Sequence, residues 1–561
     1  MIPYYYCATN SDRAHSQFAS CCWLPAAART VLTVSVVVVA CLLPAPISAE
    51  ITINGDVMLA FVARIRGASD EVGKLGNVTR TGLNLAEVAM FATEIANQEI
   101  MFETGVKLGL EILDSSEGTA KLATRLFMPF APHTQCSGLN RNLAPQTDNR
   151  VIGVVGLDGV REIDDFSLLS EHYEIPMISY AASDPILEVK IKYPFLLRSI
   201  PSDRHLYETM ADQLLHVKYR GIGVFIQDCK YGEDAKDIFE KRLRAVTNKR
   251  IKRTERIPEP ARSTDINAAI RRMLQDSKVD LVAFLVQDEK AKQIIATLNE
   301  LDHRRVPRII APHSFAEYLN ISNAAKFRDM IVIRHVTKRL PNFPDYYSLL
   351  CQHGGKTPWW PDYWTREEVQ RCLAAIPQKA SFNFIADAIY AFAHAVKKFM
   401  RDNCVGIDKH ACIQFLLECR GRHVVMENLS RSDFRSLGSA SEEPSFSFDR
   451  ARDALPRYEV VQLKVRNAFN MSAAVQHVHV LLFRCIPIGC HDSYQTTWPV
   501  LFASCFQQKF AKKVIGPVFL VLERCKSHPK VTYPISDDIT IKTAVCFVAL
   551  LEDPWRLRRQ I

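Results

Sequence analysis

Ile175-Pro176-Met177-Ile178-Ser179-Tyr180-Ala181-Ala182-Ser183 is a short apolar run that ends in small and hydroxyl-bearing residues. It reads as a buried strand leaving its sheet into a tight turn, with hydroxyl and backbone N–H groups presented at the strand's carboxyl end. Open α/β sheets hold ligands at such ends. Runs of the same kind lie on both sides of it, and strands are predicted at 57–63, 107–113, 151–156, 177–180, 221–226, 281–286, 308–310 and 330–333. Amphipathic stretches fall between them. Residues 85–98 place Leu85, Val88, Ala89, Ala92 and Ile95 on one helical face, and 204–217 follow Ser202 and Asp203, which can cap a helix. Residues 266–274 and 290–301 repeat the pattern. This alternation predicts an α/β architecture with largely parallel sheets, and function is expected just after Gly156, Tyr180, Ile226 and Ala311.

With 561 residues, 48% apolar and 23% charged, the chain can bury more than one core. A net charge of +9 is small for this length, and the basic residues are scattered among acids. The densest run, 249–256, reads as a solvated loop or helix face, so nucleic acid is not an expected partner. Arg29, an apolar stretch over 31–43, Pro44, Pro46 and the small pair Ser48 and Ala49 read as a secretory signal. The polar preface over 1–23 leaves a cleaved signal and an uncleaved anchor both open. Twelve of the sixteen cysteines lie beyond this segment, which fits an oxidising compartment. Glycosylation sequons begin at Asn77, Asn320, Asn428 and Asn470. Later apolar runs do not reach bilayer length: 514–522 is short, and 478–506 is broken by Arg484, His491 and Asp492. Residues 471–561 carry irregularly spaced cysteines and no assignable fold.

The quoted strand continues into Tyr193-Pro194-Phe195-Leu196-Leu197-Arg198-Ser199-Ile200-Pro201-Ser202-Asp203. Together these residues resemble a long block of the metabotropic glutamate receptors and related class C G-protein-coupled receptors. Further stretches resemble the same family in the same order: Arg150 to Gly156, Tyr231-Gly232-Glu233, Thr357-Pro358-Trp359-Trp360-Pro361-Asp362-Tyr363-Trp364, Asp387 to His394, and Phe448-Asp449 through Glu459. The resemblance covers residues 51–465. It implies an extracellular Venus flytrap module with a bilobal, periplasmic-binding-protein-like type I fold, its two parallel-sheet lobes joined by a hinge. One lobe is expected over 51–198 plus 338–455 and the other over 199–337 plus 456–470, with a signal or anchor over 1–49. The resemblance also implies local disulfides Cys351–Cys372 and Cys404–Cys412, and an interprotomer disulfide at Cys136, for which a free or locally paired thiol is the alternative. A further family disulfide has lost both partners, because Gly67 to Asp70 and Asp114 to Ser116 stand in its place.

The same resemblance places ligand contacts. Ser183 keeps the hydroxyl that meets the amino acid head group, Asp203 is the acid near the ammonium or simply a helix cap, and Tyr231 packs over the ligand or within its lobe. The departures are chemical. Asp158 stands where a serine-rich turn holds the carboxylate, and like charges repel at that range. His313 replaces the second-lobe acid that receives the ammonium; it is either a pH-sensitive contact or a structural histidine. Leu85 or Ala86 and Ser381 occupy the places of the basic residues that grip the glutamate side chain, with Lys379 two residues away. The implied function is therefore a receptor module that senses a small, amino-acid-like ligand by cleft closure through an altered glutamate site. It would act as a homodimer, and would reach a heterotrimeric G protein only through a membrane domain. A secreted decoy or another receptor class on this fold is the alternative. No enzyme, metal or cofactor signature is legible.

Overall fold

The computed structural model describes residues 51–463 except 68–74, 128–149, 301–305, 318–326, 328, 356, 365–367, 374–378 and 440–444, together with the backbone of 475–478. The signal segment, Cys136, Asn320, Asn470 and the rest of the tail lie outside the described residues.

The first sheet takes its strands from the first 198 residues. In chain order these elements are β1 (Ile51–Ile53), β2 (Val57–Ala63), helix α1 (Arg80–Glu99), β3 (Leu108–Asp114), α2 (Thr119–Phe127), β4 (Val151–Gly156), α3 (Val160–Tyr173), β5 (Met177–Ser179) and β6 (Leu196–Arg198). The sheet is six-stranded, in order β1-β3-β2-β4-β5-β6, and every pairing is parallel except the antiparallel edge β1 on β3. The period-two alternation of side chains sends Leu59 and Phe61 to one core and Ala60 and Val62 to another. Because both faces are covered, all seven residues of β2 are buried.

The second sheet is built from α4 (Asp203–Gln213), β7 (Ile222–Gln227), α5 (Lys230–Thr247), β8 (Ile251–Ile257), α6 (Ser263–Leu274), β9 (Leu281–Leu285), α7 (Asp288–Glu300), β10 (Arg308–Pro312) and β11 (Ile331–His335). The chain then returns to the first lobe through α8 (Phe343–His353), α9 (Ala380–Asn403), α10 (Lys409–Leu417), α11 (Cys419–Ser430) and the ribbon β12 (Asp433–Phe434) with β13 (Phe446–Ser447). Ile389 and Phe392 of α9 bury against the first sheet with Val88 and Ala92 of α1. Strands β14 (Tyr458–Leu463) and β15 (Val475–Val478) complete a seven-stranded sheet of order β15-β14-β11-β10-β9-β7-β8. The result is a bilobal type I arrangement of two α/β halves.

Two sequence expectations need correction. The basic run at 249–256 is neither loop nor helix face but most of β8, the parallel edge strand beside β7. Its charges are tolerated because an edge strand is half solvated, and Arg253 and Arg272 pair with Glu255 while Arg256 pairs with Glu233. β15 falls in the segment expected to be an unassigned tail, yet it pairs antiparallel with β14.

Three connections pass between the sheets, after β6, after β11 and before β14. The first and third are joined to each other: Arg198 N donates to Arg452 O (3.0 Å) and Ala454 N donates to Arg198 O (2.8 Å). The Arg198 side chain, fully buried, adds a two-pronged ion pair with Asp453, Nε to Oδ1 at 2.7 Å and Nη2 to Oδ2 at 2.6 Å. The second connection is tied to α9, where Lys338 N donates to Asn383 Oδ1 (3.0 Å) and Asn383 Nδ2 returns a bond to Lys338 O (3.1 Å).

A cavity at these connections is lined by Ser199, His335, Lys338, Asp387, Ser436 and Arg457, among others. Burial pushes the Asp387 carboxyl up from 3.8 to about 6. Between those values the folded chain keeps a proton that the unfolded chain has lost, so this group's contribution to stability is full at low pH and is lost as pH rises through about 6. Asp387→Asn should therefore shift Tm upward relative to the parent more at pH 8 than at pH 4.5, by about 3 °C or more. Equal shifts at the two pH values would show that the carboxyl titrates normally.

Disulfides join Cys351 to Cys372 and Cys404 to Cys412. Where the resemblance leads one to look for a third disulfide, a carboxylate does the linking. Asp114 Oδ1 accepts from Ile65 N and from Ser116 N, both at 3.0 Å, and Oδ2 lies 3.6 Å from Arg66 Nε.

Candidate functional site

The carboxyl ends of β4 and β5 make two adjacent turns. At the first, Gly156 has φ +145°, and a Cβ there would lie 2.2 Å from Val62 O, so only glycine fits. Leu157 follows with φ +68°, an uncommon conformation for a side chain of its size. Ser179 Oγ holds it by donating to Leu157 O (2.8 Å) and accepts from Ala182 N (3.0 Å), so one hydroxyl ties both turns together.

Beyond Leu157 the chain presents Asp158 and then starts α3 with Gly159 as its cap. Asp158 N donates to Glu162 Oε2 at 3.1 Å, a reach-back from the first turn of the helix. The Asp158 carboxyl faces the Tyr180 hydroxyl. Burial, and after it the nearby Glu162, pushes this carboxyl up to about 6. Arg64 lies 3.9 Å from Glu162 but is largely exposed, which weakens its compensation.

The second turn delivers Ser183. Its Oγ donates to Asp203 Oδ2 at 2.9 Å, and its carbonyl accepts from Asp203 N at 2.8 Å. Asp203 is the first residue of α4 but not its cap. Ser202 takes that role by accepting from Arg204 N, which leaves the Asp203 carboxylate to bond Ser183. From the second lobe, Tyr231 at the start of α5 donates its hydroxyl to the same Asp203 Oδ2 at 2.8 Å, and the Tyr207 hydroxyl pairs with that of Tyr231. Burial, with Asp203 and Tyr207 alongside, raises the Tyr231 phenol well above its ordinary value and keeps it a neutral donor. One carboxylate oxygen thus joins a turn of the first sheet to a helix of the second.

His313 follows β10 and packs its ring 5.7 Å from that of His335 at the end of β11, which in turn meets Tyr458 and Phe384. It therefore belongs to an aromatic cluster at the lobe junction. Leu85 and Ala86 are buried on α1, Ser381 lies in the first turn of α9, and Lys379 caps that helix while exposed. Glu162, Arg64 and Tyr180 were missed by sequence reasoning. The glutamate three residues into a helix that opens on glycine was a signal for the first, whereas the other two needed coordinates. Of the sequons, Asn77 is exposed, but Asn428 sits within α11 and its Nδ2 donates inward to Ala395 O at 3.3 Å. Among the described residues no group of three or more histidine, cysteine, aspartate or glutamate side chains is arranged to hold a metal, and no helix is long and apolar enough to cross a membrane.

Two largely parallel sheets, joined through Ser183, Asp203 and Tyr231, agree with what comparison finds: residues 84–466 match the family described as receptor family ligand binding region. The chain belongs to that family. Metabotropic glutamate receptor 4 of Macaca fascicularis is 22% identical to it over 392 residues, covering 64% of this chain and 43% of the receptor. The same receptor of Mus musculus is 21% identical over the same coverage. The chain thus matches less than half the length of these relatives.

Proposed function

We infer that the chain is the extracellular, ligand-binding module of a metabotropic glutamate receptor-like class C G-protein-coupled receptor. It senses a small, amino-acid-like ligand by cleft closure, and its glutamate site is altered. It works as a homodimer in the secretory pathway or at the cell's outer face, as a receptor and not an enzyme, and reaches a heterotrimeric G protein only if the full product carries a membrane domain. The reading rests chiefly on Asp203 Oδ2, which accepts from Ser183 of one lobe and Tyr231 of the other. A ligand competing for these groups acts on both lobes at once, and it favours closure only by binding the closed form more tightly.

Glutamate itself is expected to bind weakly or not at all, because Asp158 replaces an anion site and no basic residue stands at Leu85 or Ser381. The double variant Asp158→Ser, His313→Asp should bind an α-amino acid at least about tenfold more tightly than the parent in titration calorimetry. Tight glutamate binding by the parent that disappears in Ser183→Ala would refute the altered site. A double variant no better than the parent would count against the assigned roles of Asp158 and His313.

A further inference from the structure

The amide at the start of α3 is the natural place for a ligand carboxylate, since a helix N-terminus carries free N–H groups and positive potential. In this chain one amide there, that of Asp158 just before the cap, is bonded from within: Glu162 Oε2 accepts from Asp158 N at 3.1 Å. Next to it stands a second carboxylate, Asp158, on a turn that strains Leu157 at φ +68° to present it. Asp158 Oδ1 and the Tyr180 hydroxyl are both buried and face each other, a contact in which a neutral phenol leaves the carboxylate's charge uncompensated. Tyr180 is 2% exposed, so its hydroxyl has no water to turn to. The groups facing Asp158 are Glu162 on α3, Tyr180 at the end of β5 and the exposed Arg64 after β2. Two acids against one solvated base leave the turn negative.

We propose that this turn has been converted from an anion acceptor to a cation acceptor, so that the cleft takes a small organic amine lacking an α-carboxylate, its ammonium on Asp158. The assignment rests on the proposed function, which locates the ligand between the lobes. A carboxylate at this turn meets the Asp158 charge and finds its amide already bonded. An ammonium supplies the buried positive charge that neither the neutral Tyr180 hydroxyl nor the exposed Arg64 provides. A neutral tail suits the other end, where Leu85 and Ser381 stand in the places of basic residues. Ionised Asp158 is required, so affinity for the amine rises with pH through the region near 6 and then levels off.

The test uses 2-phenylethylamine and phenylalanine, which differ only in the carboxylate, titrated by calorimetry into the full secreted chain at pH 5.5 and 7.5. The amine should bind at least about tenfold more tightly than the amino acid at pH 7.5, and more weakly at pH 5.5. Asp158→Asn should cut amine affinity by about tenfold with the thermal transition retained. Glu162→Gln, which lowers the negative charge at the turn, should narrow the preference for the amine. If phenylalanine binds as tightly as the amine, or if Asp158→Asn leaves amine affinity unchanged, the inference is wrong while the ligand-binding reading stands. If neither probe binds but another amino acid does, and loses binding in Ser183→Ala, the inference again falls alone. If no amine or amino acid binds the chain or the double variant of Asp158 and His313, both fall together.

Discussion

Asp453→Ala is expected to lower the unfolding free energy by about 3–5 kcal/mol in equilibrium denaturation, the largest loss anticipated for a single side chain away from the glycines. Arg198 is fully buried, and its Nε and Nη2 both end on Asp453, so the truncation strands a guanidinium where water cannot reach it. Its Nη1 keeps the carbonyl of Asp184 at 2.8 Å, which satisfies a donor without neutralising the charge. Lys190, 3.2 Å from Asp453 Oδ1, loses the same counter-charge. Removing both partners with apolar residues, Arg198→Met with Asp453→Leu, should cost less than Asp453→Ala alone. The greater part of the single-variant penalty is an unpaired charge and not the worth of the pair. A single variant within about 1 kcal/mol of the parent would mean that water reaches the site.

Gly156→Ala should be nearly as damaging, by about 3 kcal/mol or more. The new Cβ would sit 2.2 Å from Val62 O and 2.9 Å from Val62 C, backbone atoms of the neighbouring strand that cannot turn aside. The φ of +145° adds strain for any side chain. Since β4 ends there, relief has to come from moving the turn that carries Leu157 and Asp158, and ligand affinity should fall along with stability. Gly159→Ala is the matched control. Its φ is −124° and nothing lies within 4 Å of an added Cβ, so it should stay within about 1 kcal/mol of the parent. A Gly156→Ala protein that melts with the control would mean the β4 turn is not held as described.

What the sequence disclosed followed from burial. Strands covered on both faces, such as β2, β4 and β9, are unbroken apolar runs and were placed to within a residue or two, because no other element of that length needs such composition. β8 escaped because an edge strand need bury only part of its surface: Glu255 and Ile257 face inward while Lys252 and Arg256 face water. Helix α1 begins at Arg80, five residues before the amphipathic stretch starts, because Thr79 caps it by accepting from Gly82 N. At the site, Ser183, Asp203 and Tyr231 were legible only through resemblance to a known family. That they share one carboxylate oxygen depends on distances no spacing rule encodes. Glu162 is intermediate: its position marks a helix opening, but only the structure shows its side chain bonded to the Asp158 amide.

The substitution of Asp114 for a missing cystine changes what one corner of the first lobe depends on. Its grip on Ile65 and Arg66 is electrostatic, whereas other loops of the lobe are closed by sulfur at Cys351–Cys372 and Cys404–Cys412. In any oxidising compartment the Asp114 corner seats without waiting for an oxidant, and it leaves fewer thiols to mispair while the remaining cysteines find their partners.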